Sequence, residues 1–239
     1  MSDGEAAADA VQGQGQGAGP GDMAVLERLL GDRWSCRGYR DDPVDTATIE
    51  RLLSAAQRTP SWCNTQPWHV VVTAGGETRR LQEAMAADER FGPDLPFPET
   101  YEGVYQDRRR ESGWQLYEAV GVAKGDRAGS AAQTMRNFEF FGAPHVAIVT
   151  TTRSLGVYGA VDCGLYVQSF LLAAQALGLG ACAQAALAMR SAFLRDWFGL
   201  DEDRQVVCGI SFGHPDPDHA TATYRTSRAS LEDAADLRL

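Results

Sequence analysis

The hydrophobic positions of this chain change period several times, and each change predicts an element. Val25, Leu26, Leu29 and Leu30 recur at helical spacing and the run stops at Gly31, which predicts a short first helix. Ile49, Leu52, Leu53 and Ala56 follow the i, i+3, i+4, i+7 pattern of a second helix, with Asp45 placed to cap it and Thr59-Pro60 to end it. The period then becomes strand-like in WHVVVT, residues 68–73, before Gly75-Gly76 turns the chain into the amphipathic ETRRLQEAMAA. SAAQTMRNFEFFG predicts a helix carrying Met135, Phe138 and Phe141, and APHVAIVTTT and RQVVCGISFGHP predict strands. GAVDCGLYVQSFLLAAQALGLGA is apolar nearly all round, which predicts a buried central helix stopped at Gly178. SAFLRDWFG predicts a short helix with Phe193, Leu194, Trp197 and Phe198 turned inward.

Other stretches carry no period. Residues 1–22 hold almost no large apolar side chain, four acids and no base, too little to offset the entropy of ordering, so they read as a disordered tail. Residues 91–105 contain three prolines and read as a long loop, a candidate lid or pocket wall next to the aromatic-rich RRRESGWQLYEAVGVA. The end of the chain, YRTSRASLEDAADLRL, reads as an arm. Helices and strands mix without a regular strand-helix-strand beat and no repeat occurs, which favours an α+β domain over a doubly wound sheet.

Composition narrows the function classes. Of 239 residues, 44% are hydrophobic, enough for one large domain with its own core. Net charge is −10, and about −6 once the four tail acids are set aside, which argues against nucleic acid or an anionic membrane as partner. No uninterrupted apolar run approaches the roughly 20 residues of a bilayer span, and the N-terminus has neither the basic start nor the apolar stretch of a signal peptide. These features point to a soluble, cytoplasmic protein. The five cysteines (Cys36, Cys63, Cys163, Cys182, Cys208) form no Cys-x-x-Cys pair and no histidine stands at zinc spacing, so no metal site is expected and the thiols read as small buried hydrophobes.

The candidate chemistry lies elsewhere. GLGACAQ follows a helix rather than a strand and lacks the third glycine of a dinucleotide fingerprint, and there is no Walker loop or Gly-x-Ser-x-Gly elbow. In RWSCR, Arg33, Ser35 and Arg37 alternate, so in extended chain they share one side and could grip a phosphate. YRTSR offers Arg225 and Arg228 near the other end. On charge alone, two solvated surface patches are the favoured reading. In PSWCNTQPW, residues 60–68, Asn64 and Gln66 offer donors and acceptors that match the edge of a flat heterocycle such as a flavin, although an Asx-type turn would use the same residues.

R-x-S-x-R, then PSxxNTQPW leading into a strand, then AAQALGLGACAQ, then VVCGISFGHPD and a terminal RTSR, in that order, resemble the FMN-dependent nitroreductase family over about residues 23–232. The long 91–125 insertion is similar to the nitrobenzoate-reductase-like subgroup. The resemblance implies a nitroreductase-like FMN-binding domain over residues 23–239, with a central mixed, mostly antiparallel sheet flanked by helices in an intertwined homodimer. It implies that Arg33, Ser35 and Arg228 hold the phosphate and ribityl end, with Trp34 contributing backbone, that Arg225 also contacts the cofactor, and that Arg37 lies near the flavin pyrimidine edge. Pro60, Ser61, Asn64 and Gln66 would reach the partner subunit's flavin, whereas backbone around Ala183, Gln184 and Ala185 would face the N5 of the flavin held by the same chain's arginines. FMN would carry the chemistry, with no catalytic side chain, taking hydride from NAD(P)H and passing it to a small nitroaromatic or quinone-like acceptor. Trp62, Trp114 and Tyr117 are candidates to line the acceptor pocket, or are ordinary aromatic core. A flavin dehydrogenase or oxidase of a metabolite, and a non-catalytic FMN-binding protein, stay open beside this reading.

Overall fold

Valine, isoleucine and threonine dominate two segments, and these build the middle of a sheet because branched side chains pack well on a pleated surface. The computed structural model describes Gly19 and residues 21–239. Its strands are β1 (His69–Ala74), β2 (His145–Thr152), β3 (Gly180–Gln184) and β4 (Arg204–Gly213), in the order β1-β2-β4-β3. All three ladders are antiparallel. The parallel component expected of a mixed sheet is reduced, among the described residues, to an isolated bridge between Ser35 and Ala181. β2 is buried along nearly its whole length, as a central strand covered on both faces must be. A register shift opposite Val149 and Thr150 leaves Val207 of β4 without a partner.

Among the described residues eight helices surround the sheet: α1 (Asp22–Asp32), α2 (Thr46–Ala56), α3 (Gly76–Ala87), α4 (Gly103–Ala119), α5 (Arg127–Met135), α6 (Gly156–Ala176), α7 (Ser191–Phe198) and the single turn α8 (Leu231–Ala234). Val146, Ile148 and Val206 pack with Leu81 and Met85 of α3 and Phe193 and Leu194 of α7 on one face. Ala147, Val149, Ile210 and Phe212 pack with Leu52 and Ala56 of α2 and Tyr166, Phe170 and Ala174 of α6 on the other. The Asp45 carboxylate accepts from the Thr48 N–H at 2.9 Å, capping α2 as expected.

Several sequence expectations need correction. α6 is not buried all round: Cys163, Tyr166, Phe170 and Ala174 face the sheet, while Val157, Tyr158, Val161 and Leu165 are exposed. By length and composition α6 could cross a bilayer, but its inner stripe is the core of this domain. The apolar stripe of α1 is likewise uncovered, with Met23, Val25, Leu26 and Leu30 exposed. The helix expected through Phe141 ends at Met135, because the chain bends sharply, with positive φ at Phe140 and Phe141, to bury both rings. β3 lies where no strand was expected, just past the helix stop at Gly178, and α4 begins inside the expected 91–105 loop at Gly103. Cys63 is exposed, whereas the other four cysteines are buried. The tail expected over residues 1–22 falls outside the described residues except for Gly19, Gly21 and Asp22.

His145 fastens the N-terminal segment to the sheet. Its Nε2 accepts from the Val44 N–H at 2.9 Å, and its Nδ1 lies 3.3 Å from the Thr73 carbonyl oxygen, so Nδ1 carries the proton. Burial pushes its pKa below 6.5, outweighing the Thr73 carbonyl, which favours the charged ring. A depressed folded-state pKa contributes stability above the unfolded value of about 6.5, and that contribution is lost as pH falls. His145→Leu, which orphans the Val44 N–H, is expected to cost about 1–3 kcal/mol in urea unfolding at pH 7.5. The gap from wild type should narrow at pH 5.

Candidate active site

Residues 33–37 leave α1 in extended conformation and run along the outer edge of β3. Ser35 bridges Ala181, and the Cys36 N–H donates to the Ala181 carbonyl at 3.1 Å. Alternate side chains of extended chain share a side, and Arg33, Ser35 and Arg37 line one cleft of about 360 Å³ together with Trp34. The opposite wall is the C-terminal arm, with Tyr224, Arg225, Thr226 and Arg228, and Ser112 of α4 closes one end. The two basic ends of the sequence, nearly 200 residues apart, therefore meet.

Tyr224 anchors the arm. Its hydroxyl donates to the Ser112 carbonyl at 2.9 Å and lies 3.0 Å from the Ser112 hydroxyl. The Arg37 guanidinium sits 5.6 Å from the Phe141 ring centroid and 5.9 Å from that of Tyr224, and Arg225 lies 4.4 Å from that of Trp34. Arg228 bends back onto its own arm, donating to the Ser227 carbonyl at 2.7 Å and the Thr226 hydroxyl at 2.8 Å. No carboxylate lines the cleft, and none of the four arginines joins an ion pair among the described residues. Burial, and then the neighbouring Arg228, push the pKa of Arg33 down, the mark of cations gathered without an anion. This donor set suits a multiply charged oxyanion such as a phosphate monoester.

A neutral edge adjoins the charge. The Ala181 carbonyl points out of the sheet toward Cys36, so by the two-residue period the Ala183 N–H and carbonyl point the same way, past the end of that pairing. Ala183 and Ala185 are exposed there. The Gln184 side chain faces inward instead, donating to the Asn137 carbonyl at 2.9 Å and accepting from the Ser211 hydroxyl. It acts as a brace under the exposed backbone. Burial pushes the Cys182 thiol up, although Arg37 opposes the shift; Cys36 is pushed up to about 11, and Cys163 and Cys208 to about 12. These four remain thiols at neutral pH and offer no nucleophile.

Pro60, Ser61, Asn64 and Gln66 do not join this cleft within the chain. They lie before β1, at the opposite edge of the sheet from β3. The loop is tightly wound, with positive φ at Cys63, Asn64 and Gln66, and its Trp62 N–H donates to the Asp162 carboxylate of α6 at 3.2 Å. Gln66 is engaged at home: its amide donates to the Asn64 carbonyl at 3.3 Å and accepts from Gln57 at 3.0 Å. The Asn64 side chain is exposed and makes no hydrogen bond among the described residues. Trp62 stands in solvent, 62% exposed, 4.7 Å from the Tyr158 ring. Trp114 and Tyr117 lie together on α4, rings 6.0 Å apart. Sequence reasoning overlooked Ser112, which no pattern marks, and the anchoring role of Tyr224, hinted at only by its place beside Arg225.

The model of the nitroreductase family matches residues 30–214. Nitroreductase NfnB of Mycolicibacterium smegmatis is 36% identical over 213 residues, covering 87% of this chain and 91% of that protein. A 4-nitrobenzoate reductase of Nocardioides sp. is 33% identical over 218 residues, covering 88% of each. The crystal structure of FMN-dependent NfnB from Mycobacterium smegmatis in complex with NADPH superposes with a TM-score of 0.86 at 35% identity, covering 91% of this chain and 99% of that one. The order of the motifs, the fold and the match over most of the chain agree: this protein belongs to the nitroreductase family.

Proposed function

We propose that this chain is an FMN-dependent oxidoreductase that takes reducing equivalents from NAD(P)H and passes them to nitroaromatic or quinone-like acceptors, and that it works as a homodimer. The observation that carries the reading is the cleft where four arginines, without an ion-pair partner among the described residues, adjoin an open strand edge. Related proteins named as nitrobenzoate, chloronitrobenzene and nitrobenzene reductases support the acceptor class. Neighbouring structures described as FMN- and NADPH-dependent support the cofactor and donor.

The residues present fit FMN. Arg33, Ser35, Arg225 and Arg228 would hold the phosphate and ribityl end, Trp34 would add backbone, and the Ala183–Ala185 backbone would supply polar groups at the ring. Bound FMN supplies the hydride chemistry that no side chain here can perform. The fixed charge of Arg37 favours negative charge gathering at the pyrimidine edge, more strongly where water is excluded. Trp62, Trp114 and Tyr117 would bound the acceptor.

Two observations favour a dimer. The exposed apolar stripes of α1 and of the first half of α6 call for a cover, and Val157 is 70% exposed. The amide loop and the arginine cleft lie at opposite edges of the sheet, whose outer strands are themselves three strand spacings, roughly 14 Å, apart. A second copy would bring the loop of one chain to the cleft of the other, where Gln66 would exchange its internal partners for the ring edge.

Purified protein should be yellow, elute as a dimer, bleach anaerobically with NAD(P)H and recover colour with a nitroaromatic; steady-state double-reciprocal lines should be parallel. Bleaching by an organic metabolite alone would favour the dehydrogenase reading instead. Arg228→Ala should weaken FMN about 10- to 100-fold, the worth of a charged hydrogen bond, and weaken riboflavin much less, as read by flavin fluorescence. Asn64→Leu should also loosen FMN while leaving the elution volume unchanged, and unaltered affinity would return that loop to a purely structural role.

A further inference from the structure

Beside the strand edge lies a smaller pocket whose lining side chains are all apolar. Leu95, Phe97 and Pro98 form one side, and Ala185, Ala188 and Val207 the other, around about 160 Å³. An apolar cavity of about 150 Å³ is large enough to hold one benzene ring. Ala185 ends the backbone edge described above, so the pocket and the proposed flavin site share a wall.

The pocket is held open by polar fastening of the loop behind it. Asp94 is nearly buried and pairs with Arg195, and its carboxylate also accepts from the Val206 N–H at 2.8 Å. The Gln205 amide donates to the Asp94 carbonyl at 3.3 Å, and the Gly92 N–H donates to the Met189 carbonyl at 3.0 Å. One carboxylate thus holds both walls, since Leu95 follows it directly and Val207 follows Val206. Val207 is also the residue skipped by the β2–β4 register, and such a bulge re-aims a side chain. A three-proline loop pinned in this way keeps its shape when no ligand fills it.

We infer that this pocket is the subsite for the single aromatic ring of the acceptor, with Phe97 and Val207 setting the ring size accepted and Asp94 as the positioning residue. The inference rests on the proposed reductase activity for the ligand's identity, but the pocket can be tested without turnover. No polar side chain lines it, so the nitro group is better placed pointing out of it, toward the Ala185 end.

The probe is 4-fluoronitrobenzene, followed by fluorine NMR with the flavin-loaded protein. Saturable broadening is expected for wild type. Val207→Phe, which fills the pocket, should weaken binding by about tenfold or more, with FMN content and far-UV circular dichroism unchanged. Phe97→Ala, which enlarges it, should shift relative kcat/KM from 4-fluoronitrobenzene toward 1-nitronaphthalene by about tenfold. Wild-type affinity in Val207→Phe, or an unaltered size preference in Phe97→Ala, would overturn the assignment. Wild-type protein that binds the probe but does not oxidise NADPH with ferricyanide as acceptor would sink the reductase reading and leave the pocket standing.

Discussion

The hydrogen bond from the Cys36 N–H to the Ala181 carbonyl is the join on which the site depends. β3 is a short edge strand of small residues, and without the 33–37 segment its whole outer side would be open. The pairing covers the first part of that side and leaves the part at Ala183 free. It also sets the register that puts Arg33, Ser35 and Arg37 into one cleft. Close packing enforces it: a Cβ on Gly180 would meet the Cys36 sulfur at 2.6 Å, and one on Gly38 would overlap the His219 ring. The same strip continues through an Arg40 N–H bond to the His214 carbonyl at 2.9 Å, so the start of the domain is sewn to the end of β4.

The cleft then runs against the electrostatics of the rest of the molecule. An acidic chain gathers four guanidiniums in one place and, among its described residues, supplies no carboxylate to balance them. Packing partly offsets that repulsion, through the rings of Trp34, Phe141 and Tyr224 and through carbonyls of the arm itself. The remaining positive potential is available to a ligand. Local violation of the rules that stabilise a fold is the usual sign of a functional site, and here it coincides with an unpaired strand edge. The proposed dimer follows the same logic, since the uncovered faces of α1 and α6 and the exposed amide loop are features a lone chain leaves unsatisfied.

Much of this was legible in the residues. The helical stripes of α2 and α7, the branched runs of β1 and β2, and the alternation in RWSCR each depend on interactions within a few residues, and local spacing records those directly. Elements shaped by distant partners were not legible. GACAQ has neither branched residues nor a clear alternation, and becomes β3 because β4 offers it a ladder. α4 presents no apolar stripe to its own domain, so no period announced it. Phe138, Phe140 and Phe141 looked helical, but a helix cannot turn Phe140 and Phe141 together into the core, and the backbone accepts positive φ to do so.

By itself, then, the sequence determined which residues could grip a phosphate and which could read a heterocycle edge, because those capacities belong to side-chain chemistry. Tertiary structure decided where each one stands. It brought YRTSR to RWSCR by tying Tyr224 to Ser112, and kept PSWCNTQPW away from both by assigning it to the far strand. It turned Gln184 inward as a brace and aimed Val207 into an apolar pocket through a break in register. Strand order, register and long-range packing are sums over contacts between distant residues, and no local period carries them.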